Sequence, residues 1–156
     1  MRTPLLIASA LWATAAQAGP LVTTVPTLTA AGAARALSEA QTLAIAGNAP
    51  SAIAVVDGSG LLLAFARMDG VRPGSTDLAI GKARAAALMR RPTSELEDNV
   101  SKGRVALATA GLTALRGGAP IMVHGACVGA IGIAGMSKDQ DAAIAAQVAA
   151  KLEDAS

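Results

Sequence analysis

Glycine recurs through residues 117–141, in a stretch that otherwise reads as a strand pair followed by a helix. The segments are Gly117-Gly118-Ala119-Pro120-Ile121, then Gly129-Ala130-Ile131-Gly132-Ile133-Ala134-Gly135, then Gln140-Asp141. Glycine inside a strand loses backbone entropy on folding and has no side chain to pack, so its repeated use requires a bend or a close backbone approach. From Cys127 to Ala134, Gly129, Ile131 and Ile133 alternate with Val128, Ala130, Gly132 and Ala134. With a side-chain period of two, one strand face carries bulk and the other is nearly flat. A flat face admits a helix, another subunit or a planar ligand.

Residues 1–18 stand apart from any fold. Arg2 supplies a positive start, Leu5 to Ala16 is almost entirely apolar, and Ala16-Gln17-Ala18 fits a small-residue cleavage pattern. This segment reads as a signal peptide cut before Gly19, which directs the protein to the periplasm or outside the cell. The apolar run is short for a bilayer and lacks a basic stop-transfer flank, and no later segment is long enough, so no membrane span is expected after cleavage.

Residues 19–156 have the length of one domain. The formal charge of +2 falls to +1 without Arg2, and no Lys/Arg cluster sits among aromatics, which argues against a nucleic-acid partner. Cys127 is the single cysteine, so no intramolecular disulfide forms, and its apolar strand neighbours point to a buried, inert thiol. Trp12 lies in the leader and Phe65 is then the sole aromatic. The core must come from Ala, Leu, Ile and Val, which suits closely packed elements.

The element order is legible from periodicity and capping. Thr29 caps a helix to about Ala46, with Leu37, Ala40 and Ala44 on one stripe, an Arg35/Glu39 pair and Gly47 at C′. Residues 51–57 and 61–68 form a hairpin around Asp57-Gly58-Ser59-Gly60. Ser75 or Asp77 starts a helix to about Arg91, and Ser94 with Glu97 caps a short helix at 95–102. Residues 103–116 fit either a helical continuation or a short strand near 112–115. Ile121–Val123 and Cys127–Ala134 make a second hairpin, with Pro120 at a strand start. Ser137 and Gln140 cap a last helix with Ile144, Val148 and Leu152 on one face. The order predicts an α+β fold, an antiparallel β-sheet flanked by helices.

Four residues are candidates for a site. His124, the only histidine, lies on the second hairpin turn. It reads either as part of a solvated turn or as a metal or haem-iron ligand through neutral imidazole. Arg67 and Asp69 read either as a surface or intersubunit pair, or as a guanidinium that grips a carboxylate such as a haem propionate. Lys82 lies on an Ala-rich helix face, where its stem carries the ammonium to solvent. Met68 and Met122 are thioether candidates that equally suit core filling. No HExxH, CxxC, nucleophile elbow or phosphate loop is present, and no catalytic residue is assigned.

Together with Ala54-Val55-Val56-Asp57, Arg67-Met68-Asp69-Gly70, Lys82-Ala83 and Pro92-Thr93, the glycine-rich segments occur in an order that resembles the GlcG/HbpS-type haem-binding (haem-degrading) family over roughly residues 29–153. The resemblance implies an HbpS-like, profilin-like sandwich, homo-oligomers and haem as a cofactor. Some members are described as degrading haem or protecting against oxidants, and others as accessory proteins of small-molecule oxidation. Three positions depart from the pattern: Ala85 stands where the family carries threonine, Ala134 where it carries serine, and His124 where an acidic or small polar residue is expected.

Two readings follow. In the first, the protein is an exported oligomeric haem-binding protein, with the small-residue face against the macrocycle, Arg67 on a propionate and His124 on iron. In the second, it is a non-haem accessory protein that holds a small (hydroxy)carboxylate on Arg67, with Asp69 orienting the arginine. Whether either is an enzyme is left open by the residues.

Overall fold

The computed structural model describes residues 20–155, so the predicted leader lies outside the described residues. An extended segment leads into α1 (Ala30–Ala46), followed by β1 (Ala52–Asp57), β2 (Leu62–Arg67), α2 (Ser75–Met89) and α3 (Thr93–Ser101). A 3-10 turn (Val105–Thr109) precedes β3 (Gly118–Val123), β4 (Ala126–Ala134) and α4 (Lys138–Glu153). The strands form one antiparallel sheet in the order β2-β1-β4-β3. Helices α1 and α4 cover one face and α2 the other. This is the α+β architecture that the element order predicts.

The two faces of the sheet have different cores. Ile53, Val55, Ile121, Ile131 and Ile133 meet Ile144, Val148 and Leu152 of α4 and an alanine stripe of α1. On the other face Ala52, Ala54, Ala130 and Ala134 meet Ala79, Ala83, Ala86 and Ala87 of α2. Small residues on both partners let the helix axis approach the sheet closely. At Gly132 a methyl group would strike the Ala79 carbonyl oxygen and lie 2.5 Å from the Ala83 nitrogen. The flat strand face therefore faces a helix, and α2 fills the place that the sequence reading gives to a macrocycle. Val128 departs from the simple alternation. Ile121 pairs with Gly129 and Met122 with Cys127, so Val128 is the extra residue of a bulge and joins the bulky face.

Several caps differ from expectation. Thr29 does cap α1, accepting from the Gly32 N–H at 3.0 Å, and Ser137 accepts from the Gln140 N–H at 3.5 Å. At the end of α1, however, the left-handed residue is Asn48 (φ 47°), while Gly47 has φ −85°. Asparagine tolerates this region through its short polar side chain. Neither Ser75 nor Asp77 caps α2, whose cap residue is Gly74. Ser94 does not cap α3, which begins one residue earlier behind Pro92. Thr93 instead turns its hydroxyl inward, where Oγ1 accepts from the Gly118 N–H at 2.8 Å. Residues 103–116 contain the 3-10 turn and no strand. Pro120 is the third residue of β3, tolerated because β3 is an edge strand. Glu39 receives its hydrogen bond from Lys151 of α4 at 2.7 Å, which holds its carboxyl below the usual value, and Arg35 adds only a weaker attraction.

Candidate functional site

Residues far apart in the sequence converge where β4 ends. Lys82, on the face of α2 turned to the sheet, donates from Nζ to the Ile133 carbonyl at 2.8 Å and to Asp141 Oδ2 at 3.1 Å. Asp141, in the first turn of α4, accepts at Oδ1 from the Gly135 N–H at 2.8 Å. Both side chains are 6 % exposed. Burial pushes the Asp141 carboxyl above its ordinary 3.8, against the opposing pull of Lys82, the Gly135 N–H and Arg72. Lys82 is thus no solvated surface lysine, because its stem runs between helix and sheet and its ammonium finds a carbonyl and a carboxylate there. Gly117, at φ 119°, leaves the space: a side chain there would come within 2.9 Å of Lys82 Nζ and 2.7 Å of the Ile133 oxygen.

This pair floors a cavity of about 190 Å³. Arg116 occupies its wall, bonded to Glu97 and, at 3.0 Å each, to Asp98 and Asp139. Arg72 stands at the mouth and donates to the Gly135 carbonyl at 3.4 Å. Leu78, Leu115 and Met136 rim the opening with exposed aliphatic surface. A larger cavity, about 530 Å³, lies between the start of β3 and the alanine face of α4. Its lining offers no imidazole, thiol, thioether or cation.

The four sequence-nominated residues do not form one site. Arg67 is the last residue of β2 and pairs with Ala52, which pairs in turn with Ala134. Arg67, Asp69 and Lys82 therefore belong to the end of the sheet where β4 finishes. Arg67 and Asp69 are exposed, and no ion pair joins them among the described residues. His124 caps the opposite end. With φ 48° at His124 and 78° at Gly125, the two make the left-handed pair of a tight hairpin turn, closed by Val123 and Ala126. The β4 strand between these ends has 9 residues, about 30 Å at roughly 3.3 Å each. Three strand spacings also separate the corner carrying Arg67 from that carrying His124. A single protomer therefore does not bring His124 and Arg67 onto one ligand. Met68 is core: it packs against the bulky cluster, and its Sδ accepts from the Ser51 N–H at 3.4 Å.

Asp141, Arg72 and Arg116 are not among the residues that the sequence nominates. A signal for Asp141 exists in the sequence. A lysine among Ala79, Ala83 and Ala86 on a buried face needs a counter-charge, and Asp141 is the one carboxylate on the stripe Asp141, Ala145, Val148 and Leu152.

The fold defines a class of small α/β/α sandwich proteins built on a four-stranded antiparallel sheet, and three comparisons identify the class. The family model described as haem degrading protein HbpS-like matches residues 28–150, and the chain belongs to this HbpS-like family. Protein GlcG of Escherichia coli (strain K12) is 48% identical over 82 residues, 52% of this chain and 61% of GlcG, so the chain spans about three-fifths of that relative's length. Among solved structures, a double mutant of Streptomyces reticuli HbpS matches with TM-score 0.78 and 35% identity, covering 90% of this chain and 97% of that one. A PduOC:heme complex matches with TM-score 0.71 and 27% identity over 80% of this chain and 94% of that one.

Proposed function

We infer that the protein is an exported haem-binding member of the HbpS-like family that works as a homo-oligomer. The observation that carries this reading is His124. It is the chain's only imidazole, it is exposed at the tip of the β3–β4 hairpin, and it has no hydrogen bond to another described residue. A neutral imidazole so placed is available to an iron centre outside the protomer surface. Family membership and the likeness to a haem complex support the same ligand.

The residues present fit haem only in part. An axial donor stands at one corner of the sheet and a propionate-binding guanidinium at the other, while α2 fills the small-residue face between them. A head-to-tail contact, in which the His124 corner of one copy meets the Arg67 corner of the next, would join the two groups. Such a heterologous contact closes into a ring when its rotation allows. No catalytic step is assigned.

A haemin titration of the mature protein tests the reading. A saturable Soret shift at micromolar haemin is expected for the wild type, with loss of that shift in His124→Ala and weakening in Arg67→Gln. No shift in the wild type removes the haem reading. Equal binding by wild type and His124→Ala removes only the axial role of His124. Export predicts a mature N-terminus at Gly19, checked by mass spectrometry of the periplasmic or secreted fraction.

A further inference from the structure

We propose that the cavity above the Lys82–Asp141 pair binds a small monocarboxylate with a short aliphatic body, its acid group held by Arg72. The inference does not rest on the haem reading: the cavity is lined by neither His124 nor Arg67, although Arg67 belongs to the same end of the sheet.

The charges of the site single out Arg72. Arg116 is saturated by three carboxylates, from Glu97, Asp98 and Asp139. Lys82 is matched by Asp141. Arg72 makes no ion pair among the described residues, though it exerts a weak attraction on Asp141, and its one hydrogen bond, 3.4 Å to the Gly135 carbonyl, leaves most of its five N–H groups free. A planar guanidinium with free parallel donors at the mouth of a concavity is a receptor for a carboxylate fork. Lys82 also lines the cavity, with two of its three N–H groups committed.

The walls select among anions. Lys82 pairs with Asp141, and Arg116 and Lys138 both pair with Glu97, which leaves Arg72 as the one lining cation without an ion pair, so a monoanion matches the site and a dianion such as phosphate brings a charge that nothing there matches. The rim of Leu78, Leu115 and Met136, exposed by 39%, 42% and 74%, gives a ligand's apolar part a surface to cover. Convergent polar groups in a concavity with apolar walls are the general form of a small-molecule site. A cavity of about 190 Å³ lies below the roughly 300–1,000 Å³ of pockets for drug-sized ligands, which suits a small molecule. Butyrate matches that size and charge.

Met136 supplies a local reporter. In protein labelled with [methyl-13C]methionine, titration with sodium butyrate is expected to move the Met136 methyl resonance saturably and to leave those of Met68 and Met122 in place. Butyramide and inorganic phosphate are expected to leave Met136 unmoved. Arg72→Gln, an exposed change that leaves the core intact, is expected to weaken butyrate binding at least tenfold, and Leu115→Ser severalfold. The proposal is overturned by any of three results: no saturable movement of Met136, equal binding by Arg72→Gln, or an equal response to phosphate.

Discussion

Lys82 Nζ lies 3.1 Å from Asp141 Oδ2, and this contact ties the helix on one face of the sheet to a helix on the other. The sheet edge beside β3 is crossed by a charge pair rather than by apolar packing. Removing Lys82 leaves the Asp141 carboxylate buried and uncompensated, which costs about 3–5 kcal/mol. Lys82→Met is therefore expected to lose about that much in urea unfolding. Asp141→Asn keeps an acceptor for the Gly135 N–H while it removes the charge, so the double variant should lose less than the sum of the singles. Strict additivity in the four-member cycle would show that the pair is not coupled.

The closeness of α2 to the sheet depends on Gly132. A methyl group there meets the backbone of Ala79 and Ala83, which are fixed parts of a helix and cannot swing aside. Overpacking of this kind costs typically about 1–3 kcal/mol, and more where only backbone can yield. Gly132→Ala is expected to destabilise by at least about 2 kcal/mol. Gly74 provides the control, because its φ is −64° and nothing lies within 4 Å of the place a methyl group would take, so Gly74→Ala should stay within about 0.5 kcal/mol of wild type. Equal effects of the two changes would mean that helix–sheet spacing does not limit stability.

The strands and helices are legible in the sequence because their signals are local. The β-branched run of β1, the Asp57 turn and the stripe of Ile144, Val148 and Leu152 each announce themselves within one element. The bulge at Val128 is not legible, since it depends on how β3 pairs with β4. Lys82 misleads for a related reason. A long charged side chain on a helix normally reaches solvent, and only the tertiary approach of α4 supplies Asp141 as its partner. Arg72 and Arg116 carry no sequence pattern at all. Their difference, one without a carboxylate and one with three, exists only in the assembled fold.

Asp141 also gives the protein a pH signature. Burial raises its folded-state pKa above 3.8, so the fold favours the protonated carboxyl. The contribution is fully present below the unfolded value and is lost as pH rises through the raised folded value. Asp141→Asn lacks this titration. The unfolding free energy of wild type minus that of Asp141→Asn should therefore fall as pH rises from below 3.8 toward neutrality. A series of urea melts measures it, and a difference that is flat or grows with pH would contradict a raised pKa.

Cys127 tests the packing at the other end of α2. Its thiol is half-buried, lies 3.4 Å from the Gly129 carbonyl and 3.9 Å from that of Ala87, and is pushed up by burial from its ordinary 9.0. The reactive species in alkylation is the thiolate, so both a raised pKa and restricted access slow the reaction. At mildly alkaline pH, iodoacetamide should modify native Cys127 at least severalfold more slowly than the same residue in urea-unfolded protein. If α2 lifts locally from the sheet, as the crowding in Gly132→Ala is expected to promote, native labelling should accelerate toward the unfolded rate. A native rate equal to the unfolded one in the wild type would show that the end of α2 near Ala87 does not shield β4.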